Sequence, residues 1–134
     1  SLAYSIIEVA VSEIDILGLH KCNIEGMRRA INALSIKPEY VLTDGYPIPG
    51  LTTPNLAVWK GDQVAISISA ASILAKVYRD NIMVALDKKY PNYGLASHKG
   101  YITASHTAAI KELGVLPIHR KSFANIAAII EVSK

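Results

Sequence analysis

Two strand-like runs each lead into an acid beside a glycine, and no other feature constrains the fold as much. Asp44 follows Tyr40-Val41-Leu42-Thr43 and precedes Gly45. Asp62 follows Leu56-Ala57-Val58-Trp59 through Lys60-Gly61. A strand ending this way releases the chain at a sheet edge with a carboxylate on the rim. In open α/β sheets the carboxyl ends of strands are where ligands bind. Two such acids on neighbouring strands suit a divalent cation, because Mg²⁺ is held by one or two carboxylates plus substrate phosphates. Both acids also read as ordinary turn residues, since Asp-Gly is a common turn pair.

The rest of the chain supplies elements around these runs. Leu2 to Ala10 alternates loosely and carries Ile6, Ile7 and Val9, which predicts a strand. A helix follows, with Ser12 as N-cap and Glu13 and Asp15 in its first turn. Its apolar stripe is Ile16, Leu19, Met27, Ala30, Ile31 and Leu34, at helical spacing. Gly18 and Gly26 weaken it intrinsically, so packing must hold it. A strand at Tyr40 to Thr43 opens after Lys37-Pro38. The loop with Pro47, Pro49, Gly50 and Pro54 leads to a second strand, Leu56 to Trp59, with Trp59 read as core. The longest helix runs from about Ser69 to Lys89, burying Ala70, Ile73, Leu74, Val77 and Val84, and Pro91 ends it. Ser67 and Ser69 at its entrance can cap the helix or meet a phosphate. Tyr90 to Tyr101 reads as a loop, Thr103 to Leu113 as a helix stopped by Gly114, and Phe123 to Val132 as a final helix after His119-Arg120-Lys121. The order β-α-β-β-α-α predicts one α/β domain over 1–134 with a mixed or parallel sheet.

Composition narrows the class. Hydrophobic residues are 51% of the 134 and charged residues 19%, which excludes a disordered chain and allows a sizeable core. Mean hydropathy is +0.27, yet no apolar run approaches the ~18 residues of a membrane span. Some apolar surface is therefore expected to be covered by a part outside this sequence. Ser1 leads straight into a strand-like run with no basic n-region, so the chain reads as part of a larger protein without a signal peptide. A net charge of +3 permits a polyanionic partner. Cys22 is the one cysteine, which excludes an intrachain disulfide and a cysteine zinc site and makes a reducing cytoplasm the default. His20, His98, His106 and His119 lack metal-motif spacing, and His20 and Cys22 read as packing or surface residues. No phosphate loop, dinucleotide fingerprint or nucleophile elbow is present.

Several segments, taken in register, resemble ribonuclease HII. They are Tyr40-Val41-Leu42-Thr43-Asp44-Gly45, Lys60-Gly61-Asp62, the run from Ile68 to Asp80, Tyr90-Pro91-Asn92-Tyr93-Gly94 with His98-Lys99-Gly100-Tyr101, and Pro117-Ile118-His119-Arg120-Lys121-Ser122-Phe123. The resemblance covers nearly the whole chain and implies an RNase H-like fold with an incomplete mixed or parallel sheet flanked by helices. It further implies an endonuclease that hydrolyses the RNA strand of RNA–DNA hybrids and nicks DNA 5′ of an embedded ribonucleotide. The family site is a set of four carboxylates that binds Mg²⁺ or Mn²⁺. Asp44 and Asp62 match two of them. The other two form an adjacent pair in an Asp-Glu-x-Gly-Arg-Gly motif that this sequence lacks, so it corresponds to the C-terminal two-thirds of such a domain. In two-metal hydrolysis the ions sit ~3.5–4 Å apart and stabilise both the attacking and the leaving oxygen. Two acids suffice for one weakly held ion rather than a pair, so the fragment alone is expected to be inactive.

Tyr101 matches the family tyrosine that packs on the sugar at the RNA–DNA junction. Lys60, Lys76, Lys99, Arg120 and Lys121 could meet phosphates, which need cations without base specificity, and Lys76 is the best placed. Asp80 is an alternative ligand that spacing cannot separate from Asp62; Lys76 one turn before it makes a helix ion pair the simpler account. The resemblance favours Asp62. A full-length monomer is expected, with hybrid duplex and ribonucleotide-containing DNA as partners and no membrane. The rival readings are a non-catalytic nucleic-acid-binding protein and a subunit completed by another chain.

Overall fold

A glycine divides what the apolar pattern reads as one N-terminal helix. The computed structural model describes residues 2–132. Helix α1 (Val11–Leu17) ends at Gly18, whose φ of 83° is open to glycine at little cost, and α2 (Leu19–Asn32) starts immediately after. The break resets the helical phase. Ile14 and Cys22 are buried, while Ile16 and Leu19 of the expected stripe face solvent. Ala10 precedes α1 without a side-chain cap, and Ser12 lies inside the first turn. The Arg29 guanidinium donates to both carboxylate oxygens of Glu13, tying α2 to α1. This hydrogen bond holds the Glu13 carboxyl below its ordinary value and raises Arg29.

Residues 2–10 do not form the expected strand. Alternation survives only in part as exposure: Leu2, Tyr4 and Glu8 are exposed, while Ala3, Ser5, Ile6, Ile7 and Val9 are half-buried. A strand also requires a ladder partner, which alternation cannot supply. Instead the segment leans on α2. Ser5 Oγ donates to the Ala30 carbonyl, and Val9 Cγ2 lies 3.4 Å from where a Cβ on Gly26 would stand.

Strands β1 (Val41–Asp44) and β2 (Asn55–Val58) pair in parallel, from Val41 opposite Asn55 to Asp44 opposite Val58. Their link, residues 45–54, carries no helix, although parallel neighbours usually need one to return the chain. Prolines restrict φ in the link, and fixed contacts hold it. Ile48 is buried, Arg28 Nη2 donates to the Pro49 carbonyl, and the Tyr46 and His20 rings meet in a T-shaped contact with centres 4.8 Å apart. Val41 and Thr43 are buried, whereas Leu42 and Leu56 are exposed. Trp59 is 80% exposed rather than core, because β2 stops at Val58.

Helix α3 (Gly61–Val64) leads into α4 (Ile66–Lys89). Helix α4 starts three residues before the expected Ser69, which places Ser67 and Ser69 in its first turn. Its expected buried stripe is also corrected: Ala70, Ile73, Leu74, Val77 and Val84 are all exposed, and Ile68 is buried. Spacing says that apolar side chains share a face, not that something covers it. The chain divides into two compact units at Ile73/Leu74, within α4.

In the second unit, α5 (Leu95–His98) is a short turn of helix inside the expected loop. Helices α6 (Ala104–Leu113) and α7 (Ala124–Val132) lie close to where propensity put them. Thr103 Oγ1 caps α6 by accepting the His106 N–H, and Gly114 ends it. Tyr93, Leu95, Ile110 and Ile126 form the core, with Leu86, Phe123 and Ile130 among the half-buried residues around it. Ile110→Ala should cost about 2–5 kcal/mol, as for a buried large-to-small change. Ile73→Ala, at 60% exposure, should cost less than about 1 kcal/mol. Urea unfolding of both variants checks the pair.

Candidate active site

Asp44 closes β1, and its position is set from three directions. Gly45 N–H donates to the Val58 carbonyl at 2.9 Å, continuing the parallel ladder past the acid. Thr43 Oγ1 donates to the Tyr46 carbonyl at 2.6 Å, and Tyr46 N–H donates to the Asp44 carbonyl at 2.9 Å. Gly61 N–H donates to Asp44 Oδ1 at 2.9 Å. This last bond joins the two acidic segments, since Gly61 immediately precedes Asp62.

A side chain at Gly61 would force Ile68 to shift. A Cβ there would stand 2.5 Å from Ile68 Cδ1, 3.3 Å from Ile68 Cγ2 and 3.4 Å from Asp44 Oδ1. Lys60 before it takes a left-handed conformation, φ 50°, which non-glycine residues adopt sparingly. The turn brings the chain from β2 into α3 with Asp62 in the first turn, exposed. Asp62 thus sits on α3 rather than at a strand end. Beside it lies an open hollow of about 180 Å³ lined by Asp62, Gln63, Val64, Ala65, Ile66 and Ser69. Asp44 thus ends β1 at the carboxyl edge of the sheet, and Asp62 follows the same edge four residues after β2.

Exposed carboxylate oxygens are hard donors suited to Mg²⁺ or Mn²⁺. Among the described residues no group of three or more His, Cys, Asp or Glu side chains could hold a metal ion together. The donors here fit a share in one ion rather than a complete pair.

The other residues singled out lie in the second unit. Lys76 Nζ pairs with Asp80 Oδ2 at 2.6 Å, with the lysine side chain 65% exposed. That bond raises the Lys76 pKa and lowers that of Asp80. Tyr101 is exposed, and the Arg79 guanidinium lies 4.5 Å from its ring centre. Arg79 Nη2 also donates to the Lys99 carbonyl at 3.0 Å. The contact of Gly61 with Asp44 in the first unit and that of Arg79 with Tyr101 in the second were not foreseen from the sequence. Both residues lie inside the quoted motif segments, but neither residue type signals its contact without coordinates.

A family model described as Ribonuclease HII matches residues 2–126. The chain belongs to the ribonuclease HII family. It is 55% identical over 129 residues to a Ribonuclease HII of Salinispora arenicola, covering 96% of this chain and 48% of that protein. It is 52% identical to a Ribonuclease HII of Mycobacterium marinum, with 96% and 54% covered. The solved structure of the ribonuclease H2 from Pyrococcus horikoshii OT3 superposes with a TM-score of 0.77 at 26% identity, over 92% of this chain and 66% of that one. The expected RNase H-like α/β fold therefore stands. The chain spans about half the length of these curated ribonuclease HII relatives.

The contact at Gly61 is testable by coupling. Gly61→Ala should cost about 1–3 kcal/mol through overpacking. Ile68→Val, which removes the clashing Cδ1, should cost about 0.5–1.5 kcal/mol alone. The double variant should be clearly more stable than the sum of the two losses predicts, as read by denaturant midpoints. Strict additivity would mean the two groups do not compete for the same space.

Proposed function

We propose that this chain is part of a divalent-metal-dependent endonuclease that hydrolyses the RNA strand of RNA–DNA hybrids and nicks DNA 5′ of an embedded ribonucleotide. In this reading Asp44 and Asp62 are metal-holding carboxylates, Tyr101 packs against the substrate sugar and Lys76 meets a phosphate. The bond from Gly61 N–H to Asp44 Oδ1 is the observation that carries the reading. It links two family-matched acidic segments at one sheet edge, where a polyanion can approach from solvent.

When bound, Mg²⁺ or Mn²⁺ would supply Lewis-acid stabilisation of charge developing on the phosphate oxygens. The protein's own groups do the rest. Asp44 is held by a backbone amide, so its orientation is set before any ligand arrives. Tyr101 presents a ring to the sugar, with the Arg79 cation stacked on that ring. Lys76, largely exposed, can exchange Asp80 for a phosphate oxygen with little desolvation. Its bond to Asp80 supports reading Asp80 as a helix ion-pair partner rather than a metal ligand. The proposed setting is a cytoplasmic monomer in full-length form; among the described residues no helix is long and apolar enough to cross a membrane.

The 134 residues contain no Asp-Glu-x-Gly-Arg-Gly segment, so the chain alone should show almost no cleavage of an RNA–DNA hybrid with Mn²⁺. Family-like turnover would overturn the assignment of two further carboxylates elsewhere. In a polypeptide carrying both parts, Asp44→Asn should lower cleavage more than about 100-fold while hybrid binding changes less than about threefold. Lys76→Ala should weaken binding of all sequences alike and reduce the slope of log K against log salt by about 0.9. An unchanged slope would remove Lys76 from the phosphate contacts.

A further inference from the structure

His98, His106 and His119 lie apart in sequence, yet the second unit gathers them behind Tyr101. The His98 and His106 rings stack with centres 4.1 Å apart and planes within 19°. His106 Nε2 lies 3.3 Å from His119 Nε2, and both residues are buried. Every ring nitrogen of the three faces a polar partner, and the partners decide where each hydrogen sits.

Leu116 N–H donates to His119 Nδ1 at 2.8 Å, so that nitrogen is bare and the neutral ring carries its hydrogen on Nε2. His106 Nδ1 faces the Tyr101 carbonyl at 3.0 Å. A carbonyl only accepts, so the His106 hydrogen is on Nδ1 and its Nε2 is bare. The hydrogen on His119 Nε2 therefore points at a free lone pair on His106. His98 follows the same logic: its Nδ1 accepts Gly100 N–H at 3.1 Å and its Nε2 donates to the Tyr93 carbonyl at 2.7 Å. One neutral assignment satisfies every bond.

A 3.3 Å gap between two Nε2 atoms would also suit two ligands of one tetrahedral zinc ion at Zn–N ~2.0–2.1 Å. The Leu116 amide rules that out in this arrangement, because it places the His119 hydrogen on the nitrogen a metal would need. The gap is a hydrogen bond in a relay.

The relay ends on Tyr101. His106 holds its carbonyl, and Tyr101 N–H donates to the His98 carbonyl at 2.9 Å. Both backbone polar groups of Tyr101 are thus gripped by the cluster, which leaves the ring exposed under Arg79.

We propose that His119 and His106 are positioning residues for Tyr101: two neutral imidazoles in series hold its carbonyl, and protonating either one releases the loop that presents the ring. For its consequence in substrate recognition the proposal rests on reading Tyr101 as the sugar contact. A proton added to His106 would sit on Nε2, opposing the His119 N–H. A proton added to His119 would sit on Nδ1, opposing the Leu116 N–H. Each charge forces two donors together.

His98 stacks on His106, and the Tyr93 ring centre lies 6.1 Å from His119. Arg79 and Lys99 flank Tyr101, and the Arg120 guanidinium lies 5.0 Å from the Phe123 ring centre. Burial is the largest cause lowering both His106 and His119 below the ordinary 6.5, with neighbouring imidazoles acting in the same direction. Groups depressed in this way contribute stability that is complete above the unfolded value. That contribution drains away as pH falls through the folded values.

Long-range ¹H–¹⁵N correlation on the chain at pH 7.5 should find hydrogens on Nε2 of His98 and His119 and on Nδ1 of His106. On lowering pH, the Tyr101 ring signals should shift with the midpoint shown by His106 and His119, below 6.5. A hydrogen on His106 Nε2 at pH 7.5, or a Tyr101 signal that ignores both histidines, overturns the relay.

A second arm measures the binding preference for a duplex with one RNA–DNA junction over an all-DNA duplex of the same sequence. His106→Leu should reduce that preference roughly three- to tenfold, the scale of one lost hydrogen bond. Tyr101→Ala should match it, and the double variant should lose no more. His106→Asn, which keeps an N–H near the Nδ1 position, should retain the preference within about twofold. An unchanged preference in Tyr101→Ala would sink the sugar-contact reading alone, leaving the correlation and titration to decide the relay. A loss in Tyr101→Ala with none in His106→Leu would sink the relay and keep the sugar contact. Should His106→Leu fail to fold, the wild-type measurements still decide.

Discussion

The amide of Gly61 donates to Asp44 Oδ1 at 2.9 Å, and the first unit is arranged around that contact. It requires β1 and β2 to run parallel, so that both chains emerge at the same edge. It requires Lys60 in the left-handed region to swing the next amide back toward β1. It also favours a residue without a Cβ, because Ile68 fills the space a side chain would take. Buried Ile68 on α4 is thereby coupled to the orientation of an exposed carboxylate. A charge-assisted bond of this kind is among the stronger ones available to a side chain.

The second unit solves a related problem with neutral groups. An exposed aromatic ring needs its backbone fixed if it is to meet a sugar at a defined height. The fixing is done by buried imidazoles whose hydrogens all have assigned partners, and among the described residues no buried side-chain nitrogen or oxygen lacks one. Full satisfaction is what makes such a network rigid. It also explains why a single added proton is disruptive.

Much of this was legible in the chain because it is decided locally. Thr103 and Gly114 bound α6 as capping chemistry predicts, Pro91 follows the end of α4, and β1 and β2 lie within one residue of the expected runs. The failures share one cause. Residues 2–10 alternate like a strand but have no ladder, and the α4 residues Ile73, Leu74 and Val77 are spaced like a core face but stand in solvent. Trp59 fails for the same reason. Periodicity describes a segment's own geometry, while burial depends on what is packed against it. The positive mean hydropathy goes with the several large hydrophobics that stand exposed.

By itself, the sequence determined the family, the helix limits in the C-terminal part and the two acids beside their glycines, since these rest on residue identity and short-range spacing. Only the tertiary structure decided that Gly61 would hold Asp44, that Arg79 would lie over Tyr101 and that three scattered histidines would form one relay. The first two contacts join residues 17 and 22 positions apart in the chain, and the His106–His119 bond spans 13. Their existence depends on how loops return elements to one another, and on hydrogen positions that acceptors and donors fix only once they are neighbours.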